Sequence, residues 1–152
     1  MKSMSHAASR PPTPSAPFEV LRAYFSKKPE VWAAYLFGSA SSETSGPTSD
    51  IDVAVLREPL SDRMMAWEAR SRYAADLEQR LRRPVDVVLL QEAGDTLSEA
   101  ILREGTVVHE GNPDRHRAFC ASRILRLLDF LPTRELTERG LGRALRGIAR
   151  GP

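Results

Sequence analysis

A chain of 152 residues with 41% hydrophobic and 28% charged residues has the size and balance of one ordinary globular domain, which excludes a fibrous or wholly disordered protein. Its formal charge of +2 and basic isoelectric point tilt the surface toward anionic partners but are too weak to argue for direct nucleic-acid binding. Cys120 is the one cysteine, no Cys or His grouping has zinc-site spacing, and the longest apolar run, Val31 to Phe37, is far short of a membrane span or a secretion signal, so a soluble cytoplasmic protein is expected.

Residues 1–16, MKSMSHAASRPPTPSA, are rich in Pro, Ser and Ala and have almost nothing to bury, so they read as a disordered tail. Phe18, Leu21, Tyr24 and Phe25 then recur at helical spacing, and Lys27, Lys28 and Pro29 supply a basic last turn and a stop. VWAAYLF, 31–37, lies between Pro29 and Gly38 and is rich in aromatic and branched residues, which predicts a buried strand. SASSETSGPTS reads as a loop, and DIDVAVL, 50–56, as a second strand. Met64, Trp67, Ala74, Leu77 and Leu81 predict one buried face of a long helix that Pro84 interrupts.

A third strand, VDVVLL, is expected at 85–90, then a short helix from Ser98 to Arg103 closed by Gly105, and a fourth strand, TVVH, at 106–109. Beyond Pro113, Cys120, Ile124, Leu127, Leu128 and Leu131 form another helical stripe. Residues 132–152 read as a basic helical extension, Leu141, Leu145 and Ile148 facing away from Arg139, Arg143, Arg146 and Arg150. His6, His109 and His116 are scattered, His116 on a polar helix face, and each reads as incidental. The order of elements predicts an α/β (α+β) domain over 17–131, a small mixed sheet of about four strands flanked by helices.

The chemistry concentrates in LFGSASSETSGPTSDIDVAVL, 36–56. Residues i and i+2 of a strand point to one face, so Asp50 and Asp52 project together while Ile51, Val53 and Val55 face the other way. Asp86 alternates with Val85, Val87 and Leu89 in the same manner and joins them if the strands are neighbours. Uncompensated carboxylates repel, and a divalent cation removes the repulsion; three of them suit two oxygen-ligated magnesium ions. At the other end of the loop, a strand that stops at Gly38 and turns at Ser39 presents free backbone N–H groups for a phosphate. A Gly-Ser pair alone is a turn and an Asp-x-Asp alone is solvated charge; their combination between two strands reads as a site.

Gly38, Ser39, Asp50 and Asp52 match the Gly-Ser and Asp-x-Asp signature of the nucleotidyltransferase superfamily related to DNA polymerase β, and the chain resembles it from about residue 18 to about 135, including VDVVLL and ILREGTVVHE. Its size resembles the minimal nucleotidyltransferases, specifically the MntA-type adenylyltransferase antitoxins. That resemblance implies the nucleotidyltransferase fold, ATP as substrate, Mg2+ held by the catalytic residues Asp50, Asp52 and Asp86, nucleotide binding at Gly38 and Ser39, and a HEPN-family toxin partner whose tyrosine receives AMP. Relatives often carry Arg just after Gly-Ser, where this chain has Ala40, Ser41 and Ser42, so triphosphate binding leans on metal, backbone or a basic residue from elsewhere. Two alternatives stand beside this reading: an aminoglycoside-type transferase, and a non-catalytic antitoxin that masks its toxin by binding.

Overall fold

The alternating helix and strand periods of the sequence close into one sheet with helices on both faces. The computed structural model describes residues 16–38 and 49–130. Within them run α1 (Ala16–Phe25), β1 (Val31–Phe37), β2 (Ile51–Arg57), α2 (Arg63–Leu81), β3 (Val85–Leu89), α3 (Asp95–Glu104), β4 (Thr106–Glu110) and α4 (Pro113–Phe130). The sheet order is β3-β2-β1-β4. β1 lies antiparallel to β2 and to β4, whereas β2 and β3, joined through α2, are parallel, as a strand-helix-strand crossover requires.

Strand alternation sorts the core into two layers. Val53, Val55, Val85, Val87 and Leu89 pack with Leu21, Tyr24 and Phe25 of α1 and Ala66, Tyr73 and Leu77 of α2. Ala33, Tyr35, Ala54 and Leu56 on the opposite face meet Ile101 of α3, with Phe119 of α4 against the same cluster. Burial of these faces is the main stabilising contribution, on the order of 2 kcal/mol for each fully covered large side chain.

Asp62 caps α2 by accepting from the Met65 N–H at 2.8 Å. At the other end Arg82 takes a left-handed φ of 55°, the Glu78 carboxylate accepts from the Val85 N–H at 3.1 Å, and Pro84 leads into β3. The turn between α2 and β3 is therefore held from several sides.

Five expectations change. α1 begins at Ala16 and ends at Phe25, so Lys27 and Lys28 lie in the following turn rather than in the helix. Met64 and Trp67 are exposed (64% and 58%) instead of buried; the inward stripe of α2 runs through Ala66, Tyr73 and Leu77, and Trp67 stands about 100° round the helix from Ala66. Ala74 and Leu81 are partly buried against that stripe. α3 starts at Asp95, a turn earlier than Ser98, and β2 starts at Ile51 rather than Asp50.

His116 is the fifth change, because it is buried, not polar surface. It sits four residues before Cys120 on the inward face of α4, and its Nδ1 lies 2.6 Å from a Glu110 carboxylate oxygen while its Nε2 meets the Tyr35 hydroxyl. A carboxylate only accepts, so Nδ1 donates to Glu110, while Nε2 shares a hydrogen bond with the Tyr35 hydroxyl. Burial, with Cys120 and Glu110 close by, pushes the Tyr35 phenol well above its ordinary range. The network ties α4 to β1 and β4. The tail before Ala16, the loop over 39–48, and Leu131 with the basic extension after it lie outside the described residues.

Candidate active site

The site lies at the end of the sheet where β1 finishes and β2 and β3 begin. β1 pairs with β2 so that Phe37 is opposite Asp52. The parallel register of β2 and β3 then sets Asp86 opposite Asp52, with backbones about 4.8 Å apart. Both side chains leave the face that carries Ala54 and Leu56, away from α1 and α2. Asp50 precedes the first residue of β2 and is exposed, as is Asp86; Asp52 is half-buried.

Burial raises the Asp52 carboxyl above its ordinary range, and the negative charges of Asp86 and then Asp50 push it the same way. The three acids therefore feel one another with oxygen donors only, which is the chemistry of a hard divalent cation site. Among the described residues no three ligating side chains already converge on one point, as expected of like charges with two of the three side chains out in solvent.

Gly38 completes this edge. Its φ of 70° lies in the left-handed region, and a Cβ built there would overlap the Asp52 carboxylate. Glycine thus allows the chain to turn off β1 against the acid without displacing it. Such a close-fitting cradle suits a ligand group bound between a backbone turn and a carboxylate edge. Ser39, the other half of the expected phosphate site, lies outside the described residues.

One participant has no periodic or motif signature in the sequence. Arg83, in the α2–β3 turn, donates from Nε and Nη2 to the carbonyl of Ser49 at 3.1 and 2.6 Å. The next residue, Pro84, accepts from the Ile51 N–H at 2.9 Å. Both backbone neighbours of Asp50 are therefore bonded to this turn. The only hint in the sequence is an Arg-Arg-Pro run immediately before the strand that carries Asp86.

A family model described as Polymerase beta, Nucleotidyltransferase matches residues 19–114, which span Gly38, Asp50, Asp52 and Asp86. A curated relative, the protein adenylyltransferase MntA of Shewanella oneidensis, is 35% identical over 77 residues, a stretch that takes in 51% of this chain and 52% of MntA. The chain thus spans about half the length of that relative. A solved toxin-antitoxin with AMP-PNP contains a chain that matches with a TM-score of 0.61 at 24% identity, over 85% of this chain and 98% of that one. A tri-AMPylated Shewanella oneidensis HEPN toxin in complex with MNT antitoxin gives a TM-score of 0.55 at 22% identity, over 86% and 95%. At these identities the two structures speak for the fold. Among the described residues no helix is long and apolar enough to cross a membrane.

Proposed function

The chain belongs to the Polymerase beta, Nucleotidyltransferase family, and we propose that it is the antitoxin of a HEPN/MNT pair that transfers AMP from ATP to a tyrosine of its toxin partner in the cytoplasm. The observation that carries this reading is the register of Asp52 against Asp86 beside the left-handed turn at Gly38. It brings acidic side chains and a left-handed backbone turn to one end of the sheet. The similarity to MntA and to an antitoxin seen with an AMPylated toxin supports the choice of acceptor.

In this reading the triphosphate lies against the turn at Gly38 and Ser39. Asp50, Asp52 and Asp86 would hold magnesium, which when bound would supply the positive charge that a triphosphate and a departing pyrophosphate need. The tyrosine oxygen attacks the α-phosphorus in line, forming the new P–O bond as the bond to pyrophosphate breaks. The Asp86 carboxylate takes the hydroxyl proton and passes it to solvent. No covalent bond to this chain forms. The catalytic unit runs from α1, which begins at Ala16, to about residue 131, with residues 1–15 and the basic extension, 132–152, outside it.

The test is to incubate the full chain with ATP, Mg2+ and the HEPN protein encoded beside it and to measure intact mass. Addition of AMP to the toxin, with loss of its ribonuclease activity, supports the proposal. Neutralisation without any mass change would replace it with masking by binding alone. AMP on an aminoglycoside and none on the toxin would favour a small-molecule transferase.

A further inference from the structure

Asp50 is the acid of the site that the sheet does not hold, because β2 begins one residue later. Two bonds fix its backbone instead, and both come from consecutive residues of one turn. The Arg83 guanidinium holds the carbonyl of Ser49 from two nitrogens, and the Pro84 carbonyl holds the N–H of Ile51. That turn is itself set by the left-handed Arg82, the bond from Val85 to Glu78 and the fixed φ of Pro84. A rigid turn thus grips the chain on either side of an exposed carboxylate.

We infer that Arg83 is a positioning residue for the metal site, aiming Asp50 by clamping the Ser49 carbonyl, and this rests on the reading of Asp50, Asp52 and Asp86 as the cation ligands. The fork of the guanidinium matters, since two N–H donors on one carbonyl fix its direction as well as its distance. A lysine offers charge at the same place without the fork. Arg83→Met removes both the clamp and the charge, whereas Arg83→Lys removes only the fork, so the two variants together isolate the aim given to Asp50.

The experiment is a Mn2+ titration of the full chain followed by electron paramagnetic resonance, with no nucleotide present, on wild type, Arg83→Met, Arg83→Lys and Asp50→Asn. Thermal unfolding of each variant checks that the fold is kept. Partners that orient a metal ligand are typically worth 10–100-fold in affinity, so Arg83→Met should weaken Mn2+ binding by about tenfold at little change in melting temperature. Arg83→Lys, which keeps one donor, should recover part of that loss, and it carries the test if the Met variant does not fold. Unchanged or tighter binding in Arg83→Met, with binding lost in Asp50→Asn, overturns the positioning role while leaving the metal site standing. Binding unchanged in both variants overturns the metal reading itself and this inference with it.

Discussion

Asp52 faces Asp86 across the parallel pairing of β2 and β3, at the edge where β1 ends. Two acids in register, one of them half-buried and raised in pKa by burial and by its neighbours, are a liability to the fold when they are charged. Asp52→Asn keeps the shape and removes the charge. It should leave the melting temperature unchanged or higher while reducing AMP transfer by about 100-fold or more, beyond what loss of an orienting partner alone causes. Thermal unfolding and toxin mass measured on the same preparation check this, and a large fall in stability would show that Asp52 serves the fold rather than the chemistry.

Gly38→Ala should damage the same edge from the other side. A residue with a Cβ in the left-handed region costs about 1–2 kcal/mol, and here the new methyl group also overlaps the Asp52 carboxylate. Transfer should fall more than stability, because the acid must move to make room. Activity at the wild-type level in a folded Gly38→Ala variant would show that the turn and the acid do not work together.

The parts of this fold that follow a strict period were legible in the sequence. Asp52 and Asp86 alternate with apolar residues, so their faces could be read, and the sheet supplied only the register that joins them. Periodicity misled where a stripe was extended by large apolar residues without regard to phase, as with Met64 and Trp67, which start α2 on its exposed side. His116 shows the reverse error. Its four-residue offset from Cys120 puts it on the inward stripe, but nothing local marks a titratable side chain as core when its partners, Tyr35 and Glu110, sit on β1 and β4. Arg83 was illegible for the same reason, since its role depends on Ser49, more than thirty residues earlier in the chain.

The two faces of α2 should separate cleanly in a mutational test. Leu77 is fully buried in the core beneath α1 and the sheet, so Leu77→Ala should cost about 2–5 kcal/mol. Trp67, more than half exposed, should cost no more than about 0.5 kcal/mol when replaced by Ala. Urea unfolding of both variants gives the comparison. A cost for Trp67→Ala approaching that of Leu77→Ala would mean that the chain outside the described residues covers this tryptophan.

Tyr35 and His116 should behave as a coupled pair. Tyr35→Phe leaves the His116 ring nitrogen without its hydroxyl partner, and His116→Leu leaves the buried Tyr35 hydroxyl with only the Cys120 thiol and frees Glu110. Each single change should cost about 1–3 kcal/mol, and the double variant less than their sum, because replacing both partners removes the stranded groups. Costs that add simply in a double-mutant cycle would show that the network contributes packing and not hydrogen bonding.

His109, on β4, gives the chain a stability that depends on pH. Its pKa is lowered, first by burial and then by the Arg22 guanidinium of α1, so the folded state favours the neutral ring. A histidine lowered on folding contributes stability that is fully present above its unfolded value near 6.5 and is lost as pH falls through the folded value. His109→Gln, which cannot take up the proton, should therefore lose less stability than wild type between about pH 7 and pH 5. Every other group is the same in both proteins, so the difference between the two curves isolates His109. Because burial is the larger cause, Arg22→Gln should flatten the wild-type dependence only in part. Urea midpoints that fall in parallel for wild type and His109→Gln across this window would show that the ring is as easily protonated in the fold as in the unfolded chain.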